Sequence, residues 1–181
     1  MTKNSFPRLA GLSLALVAVM AVFLIGCGDS VTPLKLQAAP LVGANEVPAN
    51  TSAGTGSATV QLSEKQDSLT YTLTVQNINN VIQAHFHCCG AVGTNQAVVM
   101  FLFGPIAAGG GATNGQIASG TKTSADLIGP MAGQTLQDFI NQVKSGNVYV
   151  NVHTSSGIAG SPSGPGNLPG GEIRAQVTLV N

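Results

Sequence analysis

The chain has 181 residues, of which 8% are charged, and its seven basic and seven acidic side chains give a formal net charge of zero. Nucleic-acid binding proteins carry an excess of positive charge against phosphate, so this composition argues against that function. With 44% apolar residues and 23 glycines, it favours a folded domain of short strands joined by turns over a disordered chain.

The first 26 residues have the pattern of an export signal. Lys3 and Arg8 are followed by an almost entirely apolar run, Leu9–Ile25. This run is slightly shorter than the about 20 residues that span a bilayer, but it is typical of a signal peptide. It ends in Leu24-Ile25-Gly26-Cys27, which resembles a lipobox. We predict a lipoprotein signal peptide over residues 1–26, a membrane anchor through lipidated Cys27, and a tether over residues 27–33; the alternative is an uncleaved membrane anchor.

The predicted mature protein is exported and close to neutral. Without residues 1–26 it keeps five basic and seven acidic side chains, a net charge of −2, which disfavours electrostatic docking to acidic partners. Asp29 does not directly follow Cys27, so the usual inner-membrane retention signal is absent. We expect a lipid-anchored protein of the cell envelope, at the outer membrane or cell surface in preference to a periplasm-facing position. A protein partner in the envelope is compatible with this location.

Alternating apolar and polar residues predict most strands of the remaining domain, residues 34–181. The first is predicted over Leu34–Leu41. Gly56–Ser63 and Ser68–Gln76 both alternate with period two, and the polar turn Lys65-Gln66-Asp67 between them predicts a β-hairpin. Further strands are predicted over Val81–Cys88, Ala97–Phe103, Asn147–Val152 and Ile173–Leu179.

One segment has helical spacing, and two others have the composition of loops. Apolar residues recur at i, i+3, i+4 and i+7, namely Leu136, Phe139, Ile140 and Val143. Thr135 can cap the start and Gly146 can end the helix, so we predict one short helix over about residues 135–145. The glycine- and proline-rich segments Gly104–Thr113 and Ser155–Gly171 are predicted to be loops.

The three histidines occupy two strand positions of the same parity. His85 and His87 are two residues apart, and His153 follows the strand Asn147–Val152. Alternate residues of a strand project from one face, with Cα atoms about 7 Å apart. Because the inner face of the first strand consists of Ile82, Ala84 and Phe86, the histidines are predicted to point away from the core.

If these two strands are neighbours, three imidazoles converge on an outer surface of the sheet. His85, His87 and His153 would then form a site for zinc or copper, with Cu²⁺ the tightest divalent binder. Tyr149 and Asn151 share the outward face of His153 and are predicted to lie beside this site. The alternative is a set of sheet histidines that make hydrogen bonds and hold no metal.

Two further groups are candidates for the same surface. Cys88 and Cys89 are adjacent in sequence and cannot link distant segments, so they are two thiols, a vicinal disulfide or additional metal or redox groups. As thiolates they would favour copper(I) or zinc. Glu172 and Arg174 share the outward face of the last strand, where they form a surface ion pair or a cross-strand contact, or where Glu172 orients an imidazole.

Six ordered motifs of this chain resemble the CHRD domain, a family named after chordin. The resemblance covers roughly residues 34–180 and rests on Leu41–Pro48, Gly54–Ala58, Leu69–Tyr71, Ala84–His87, Val148–Thr154 and Gly170–Gln176. It implies an immunoglobulin-like β-sandwich and no established activity. The His85-Phe86-His87 strand also looks like the copper strand of copper/zinc superoxide dismutase, a likeness at the level of fold. This chain has no fourth histidine in its mature part for a two-metal site of that kind.

We therefore predict an all-β domain, an immunoglobulin-like or superoxide-dismutase-like Greek-key β-sandwich of about seven to nine strands with one short helix. The leading function is a membrane-anchored extracytoplasmic binding module that holds copper or zinc through three histidines. The alternatives are a structural or protein-interaction domain without metal, and a copper-dependent redox enzyme. No catalytic residues are predicted, because the chain has neither a Gly-x-Ser-x-Gly elbow nor a phosphate-binding loop.

Overall fold

The computed structural model describes Met1 and residues 33–180. The predicted signal peptide, Cys27 and most of the predicted tether lie outside the described residues. All strands and the helix described belong to one compact unit, Val31–Asn181, and the core uses residues of this unit alone. None of the described helices has the length and apolar character needed to cross a bilayer.

Nine strands and one α-helix make up the described domain. The strands are β1 (Lys35–Val42), β2 (Thr55–Leu62), β3 (Ser68–Asn79), β4 (Val81–Cys88), β5 (Ala97–Phe103), β6 (Ala112–Thr123), β7 (Val148–Thr154), β8 (Ile173–Gln176) and β9 (Thr178–Val180). The helix α1 spans Leu136–Lys144, and three short 3-10 turns lie at Gly43–Asn45, Ser124–Asp126 and Gly129–Met131.

The strands form an antiparallel sheet in the order β5-β4-β7-β8-β1-β2-β3-β6, with β9 also paired to β1. The two outer strands of this order, β5 and β6, approach each other, so the sheet curls into a nearly closed layer around the core. The all-β prediction, its number of strands and its single short helix are confirmed. Non-consecutive neighbours such as β4 and β7 bring together segments that are far apart in sequence.

The period-two alternation places the core as predicted. On β3, Leu69 and Leu73 are fully buried while the intervening threonines face outward. The predicted hairpin is confirmed, since β2 and β3 are paired along their length and Leu62 lies opposite Leu69 at the end next to the turn. Its turn is closed by the Ser63 hydroxyl, which donates to the Asp67 carboxylate at 2.8 Å.

The predicted helix is also confirmed, with the predicted cap. The Thr135 hydroxyl accepts from the Asp138 amide at 3.1 Å, and the Asp138 carboxylate accepts from the Thr135 amide at 3.0 Å. This reciprocal capping box satisfies two amides that the helix itself leaves unpaired. Phe139 on the buried face packs edge-on against Phe86 of β4, with ring centroids 5.2 Å apart, and so joins the helix to the sheet.

Strand β6 was not predicted, and the last predicted strand proves to be two. The segment Ala112–Thr123 contains two glycines and lacks the alternation of a half-buried strand, but its pairing with β3 holds it extended. At the C-terminal end, Val177 interrupts the predicted strand by donating its amide to the Val148 carbonyl at 2.9 Å. The residues before it pair with β7 and those after it pair with β1.

Candidate metal centre

The strands that carry the histidines are hydrogen-bonded neighbours. In the antiparallel register of β4 and β7, His85 lies opposite Asn151 and His87 lies opposite Tyr149. His153 is two residues beyond Asn151 and shares its face of the strand. Alternate residues on both strands pack into the core. The adjacency of the two strands, on which the metal prediction depended, is therefore present.

The three imidazoles lie close enough to share one ion. Ring centroids are 4.5 Å apart for His85 and His153, 4.9 Å for His85 and His87, and 6.1 Å for His87 and His153. One ring nitrogen from each residue lies within 4.8 Å of the others. Around a tetrahedral ion with bonds of about 2.0–2.1 Å, these atoms would be about 3.3 Å apart. Small side-chain rotations are enough to close that difference.

The predicted exposure of the histidines is wrong. His85, His87 and His153 are only 2%, 7% and 5% exposed. They do point away from the apolar core, but loops cover their face of the sheet. The backbone of Gln96 lies against the His87 ring. The backbone of Pro169, which belongs to the predicted loop Ser155–Gly171, lies against the His153 ring. The cluster is therefore an enclosed polar site and not a surface patch.

Backbone carbonyls select the tautomer of two imidazoles. The Nδ1 atom of His87 donates to the Gln96 carbonyl at 2.6 Å, and Nδ1 of His153 donates to the Pro169 carbonyl at 2.8 Å. A carbonyl oxygen can only accept, so the proton of each neutral ring sits on Nδ1 and the lone pair on Nε2. The Nε2 atom of His87 lies 2.9 Å from Nδ1 of His85, which places this lone pair inside the cluster.

Burial keeps these rings neutral. It lowers the pKa of His85 to about 3, with a further contribution from the neighbouring His153 and His87. It lowers the pKa of His153 to about 4, against the opposing effect of the Pro169 carbonyl, and it lowers the pKa of His87 as well. At neutral pH all three rings therefore carry the lone pair that a metal ligand requires.

Asn151 adds an oxygen to the centre of the cluster. Its Oδ1 atom lies 2.8 Å from Nε2 of His153, and its side chain partly offsets the lowering of the pKa of His85 and His87. Its amide nitrogen is turned towards the Glu46 carboxylate. With Nδ1 of His153 donating to Pro169, a lone pair of Nε2 and a lone pair of Oδ1 face each other. A cation that contacts both atoms would turn this repulsion into two attractive contacts.

Tyr149, predicted to lie beside the site, stacks on His87. The two rings are parallel within 2°, with centroids 4.7 Å apart, and the Arg174 guanidinium carbon lies 3.3 Å from the centre of the tyrosine ring. The Tyr149 hydroxyl accepts from the Gln96 amide at 3.0 Å. Tyr149 thus positions both the His87 ring and the residue whose carbonyl orients it. Arg174 also donates to the Thr94 carbonyl at 2.9 Å, which ties the same loop down.

Glu172 does not have the predicted role. It is 1% exposed, and the hydrogen-bond partners found for it among the described residues include neither an imidazole nor Arg174. Its carboxylate accepts from the Ser52 hydroxyl at 2.6 Å, from the Gly166 amide at 2.8 Å and from the Thr154 hydroxyl. Glu172 is buried directly before β8, and its contact with Gly166 makes it an anchor for the loop that covers the site.

Of the three alternatives for the cysteines, the structure contains the vicinal disulfide between Cys88 and Cys89. A disulfide offers no thiolate, so the prediction of additional thiolate ligands does not hold in this state. Among the described residues, the group that could hold a metal ion contains the three histidines and neither cysteine. Cys88 is buried in the apolar core, and Cys89 is exposed beside α1, where it lines a shallow recess with Met131 and Asp138.

Sequence reasoning missed Glu46, an acidic residue beside this network. It is 6% exposed, and burial raises the pKa of its carboxyl to about 7 although Arg174 and the Asn151 amide favour the charged form. Its Oε1 atom is buried and has no hydrogen-bond partner among the described residues. The sequence pointed to Glu46 only through its place in the motif Leu41–Pro48. Neither periodicity nor spacing distinguished it from an ordinary turn residue.

The fold and the site together define an all-β domain with an enclosed three-histidine cluster. The family model described as the CHRD domain matches residues 37–164, so the chain belongs to the CHRD domain family. The matched range contains all three histidines and five of the six motifs named above, while Gly170–Gln176 lies beyond it. A comparison with curated proteins finds no match to this chain.

Proposed function

We propose that this protein is a membrane-anchored, extracytoplasmic CHRD-domain module that binds one transition metal ion, copper or zinc, through His85, His87 and His153. The anchor would be the lipidated Cys27, and the place of action would be the cell envelope. The apolar run before Cys27 and the lipobox-like residues that end it support this part of the proposal.

One observation carries the metal site: three buried, neutral imidazoles lie together, and in two of them, His87 and His153, Nε2 is unprotonated. Buried polar groups are normally paired, yet Nε2 of His153 faces an acceptor oxygen. The donor set of three imidazole nitrogens and a nearby amide oxygen suits Cu²⁺ and Zn²⁺. Because both cysteines are held in a disulfide, the set has no thiolate that would favour copper(I).

The residues around the imidazoles would hold the ion in place. The carbonyls of Gln96 and Pro169 fix two rings in the tautomer that a metal requires, a role that such outer groups commonly have at metal sites. Tyr149 limits rotation of the His87 ring by stacking on it. The ion would supply a fixed positive charge at the centre of the cluster.

The test is metal content and stoichiometry. Full-length protein in detergent is treated with a chelator, desalted, and titrated with Zn²⁺ and with Cu²⁺ by calorimetry, and bound metal is measured by elemental analysis. We expect one equivalent of metal, and Cu²⁺ should show an electron paramagnetic resonance spectrum with nitrogen hyperfine structure. The double variant H85A/H87A should lose stoichiometric binding, while Q83A on the same strand should retain it.

Circular dichroism melting of every variant separates loss of ligands from loss of fold. H153Q serves as a milder variant if H85A/H87A unfolds, since glutamine replaces the imidazole by a polar group of similar size. Absence of binding by the wild-type protein, or equal binding by folded H85A/H87A, would reject the metal site. The chain would then be a structural or interaction domain of the envelope.

A further inference from the structure

We propose that a cleft ending at Glu46 is the route by which the metal ion enters, and that the Glu46 carboxylate is the first protein group to bind it. This inference rests on the proposed metal site and adds to it a residue and a path. The ligand class is a hydrated divalent transition-metal cation arriving from solvent.

The need for a route follows from the burial of the imidazoles. All three are at most 7% exposed, and none of them lines the nearby surface cleft, whereas Glu46 does so although it is 6% exposed. This cleft lies on the other side of the covering loop, with Glu46, Asn50 and Asn95 on one side and Leu168–Gly171 on the other. That second wall includes Pro169, whose carbonyl is hydrogen-bonded to His153. The cleft and the cluster thus share one wall.

Glu46 is the ionisable side chain among the residues that line this cleft, and the nearby Arg174 guanidinium favours its carboxylate form. The other polar side chains that line it, Asn50, Asn95 and Ser163, are neutral. A carboxylate in such surroundings attracts a cation more strongly than it would in open water, because neighbouring solvent screens it less. The unpartnered Oε1 atom leaves one carboxylate oxygen without a competing donor, and an arriving cation would supply the missing interaction.

From Glu46 a series of oxygen and nitrogen donors leads inward. Oε1 of Glu46 and Nδ2 of Asn151 both lie within 2.8 Å of the point where a Cβ of Gly171 would stand, and Oδ1 of Asn151 is 2.8 Å from Nε2 of His153. An ion leaving the carboxylate would therefore meet the amide oxygen next and the imidazole after that. Exchange of water for oxygen and then for nitrogen donors at each step avoids a stage at which the ion is stripped of ligands in a buried site.

A glycine lies against both polar groups of this path. Gly171 has a φ of +133°, and a Cβ at this position would lie 2.7 Å from Oε1 of Glu46 and 2.8 Å from Nδ2 of Asn151. Both are closer than real Cβ contacts. No side chain can therefore occupy the space beside these two polar groups without moving them.

The experiment measures how fast the metal-free, full-length protein takes up Cu²⁺ in a stopped-flow instrument. Quenching of tyrosine fluorescence reports binding, because Tyr149 stacks on His87 and the chain has no tryptophan. Two variants test the path by different means: E46Q removes the charge, and A49F places a bulky side chain at the exposed rim of the cleft. E64Q, which removes an acid from the exposed β2–β3 turn, is the matched control.

We expect Cu²⁺ loading to slow by about tenfold or more in E46Q and in A49F, since charge at a cleft commonly changes cation on-rates by such factors. The final stoichiometry should still be one, and E64Q should load at the wild-type rate. Wild-type loading rates in either folded variant would overturn the entry route while leaving the metal site intact. Failure of the wild-type protein to bind Cu²⁺ at all would instead reject the proposed function on which this inference depends.

Discussion

Acidification from pH 7 to pH 5 should destabilise the metal-free protein through its buried histidines. In the unfolded chain an imidazole takes up a proton near pH 6.5, whereas in the folded protein the pKa is lowered by burial to about 3 for His85 and to about 4 for His153. The unfolded state therefore binds more protons below pH 6.5. The stability that these groups contribute is complete above that pH and is lost as the pH falls.

The size of the effect follows from these values. Between pH 7 and pH 5 linkage gives a loss of about 2 kcal/mol for each of His85 and His153, and His87 adds to the loss because its pKa is also lowered. Glu46 acts in the opposite direction. Its pKa is raised from 4.5 to about 7, so the folded state takes up its proton first and gains about 2 kcal/mol over the same interval. The net loss in the wild-type protein is then about 2 kcal/mol or more.

The free energy of unfolding can be measured on residues 31–181, which contain every described strand and the core. The protein is unfolded with urea in the presence of a chelator, and circular dichroism monitors the transition. Removal of the compensating carboxyl in E46Q should raise the loss between pH 7 and pH 5 to about 4 kcal/mol or more. E64Q, at an exposed turn, should behave as the wild type. An E46Q variant whose stability is constant or rises on acidification would refute the reasoning, because its buried imidazoles would then not be held neutral by the fold.

Two further predictions concern the elements that support the site. F139A should cost about 3–5 kcal/mol of unfolding free energy in the same urea assay, because this fully buried ring packs between α1 and β4; the exposed helix variant Q137A should change it by less than about 0.5 kcal/mol. E172A should leave Gly166 and Thr154 without their buried acceptor. Limited proteolysis should then cut within residues 155–171 faster than in the wild type. Cleavage at the wild-type rate would show that other contacts hold the loop.

Local patterns in the sequence account for most of the elements found here. Period-two alternation identified the β2–β3 hairpin and the inward face of β4, and the spacing from Leu136 to Val143 identified the helix together with its Thr135 cap. The equal parity of His85 and His87 is a property of one strand, so it too could be derived from the sequence. Strand β6 could not, since its glycine-rich segment is extended by pairing with β3 and not by its own alternation.

Long-range contacts produced the features that the sequence left open. His153 meets the other two histidines because β4 and β7, some sixty residues apart along the chain, pair in one register. The burial of the cluster depends on loops at Gln96 and Pro169, and Glu46 approaches it from the segment after β1. Side-chain periodicity reports the faces of a strand because it is set by the backbone of that strand. Which strands pair, and which loops cover a face, depends on the packing of the whole domain and has no local signature in the chain.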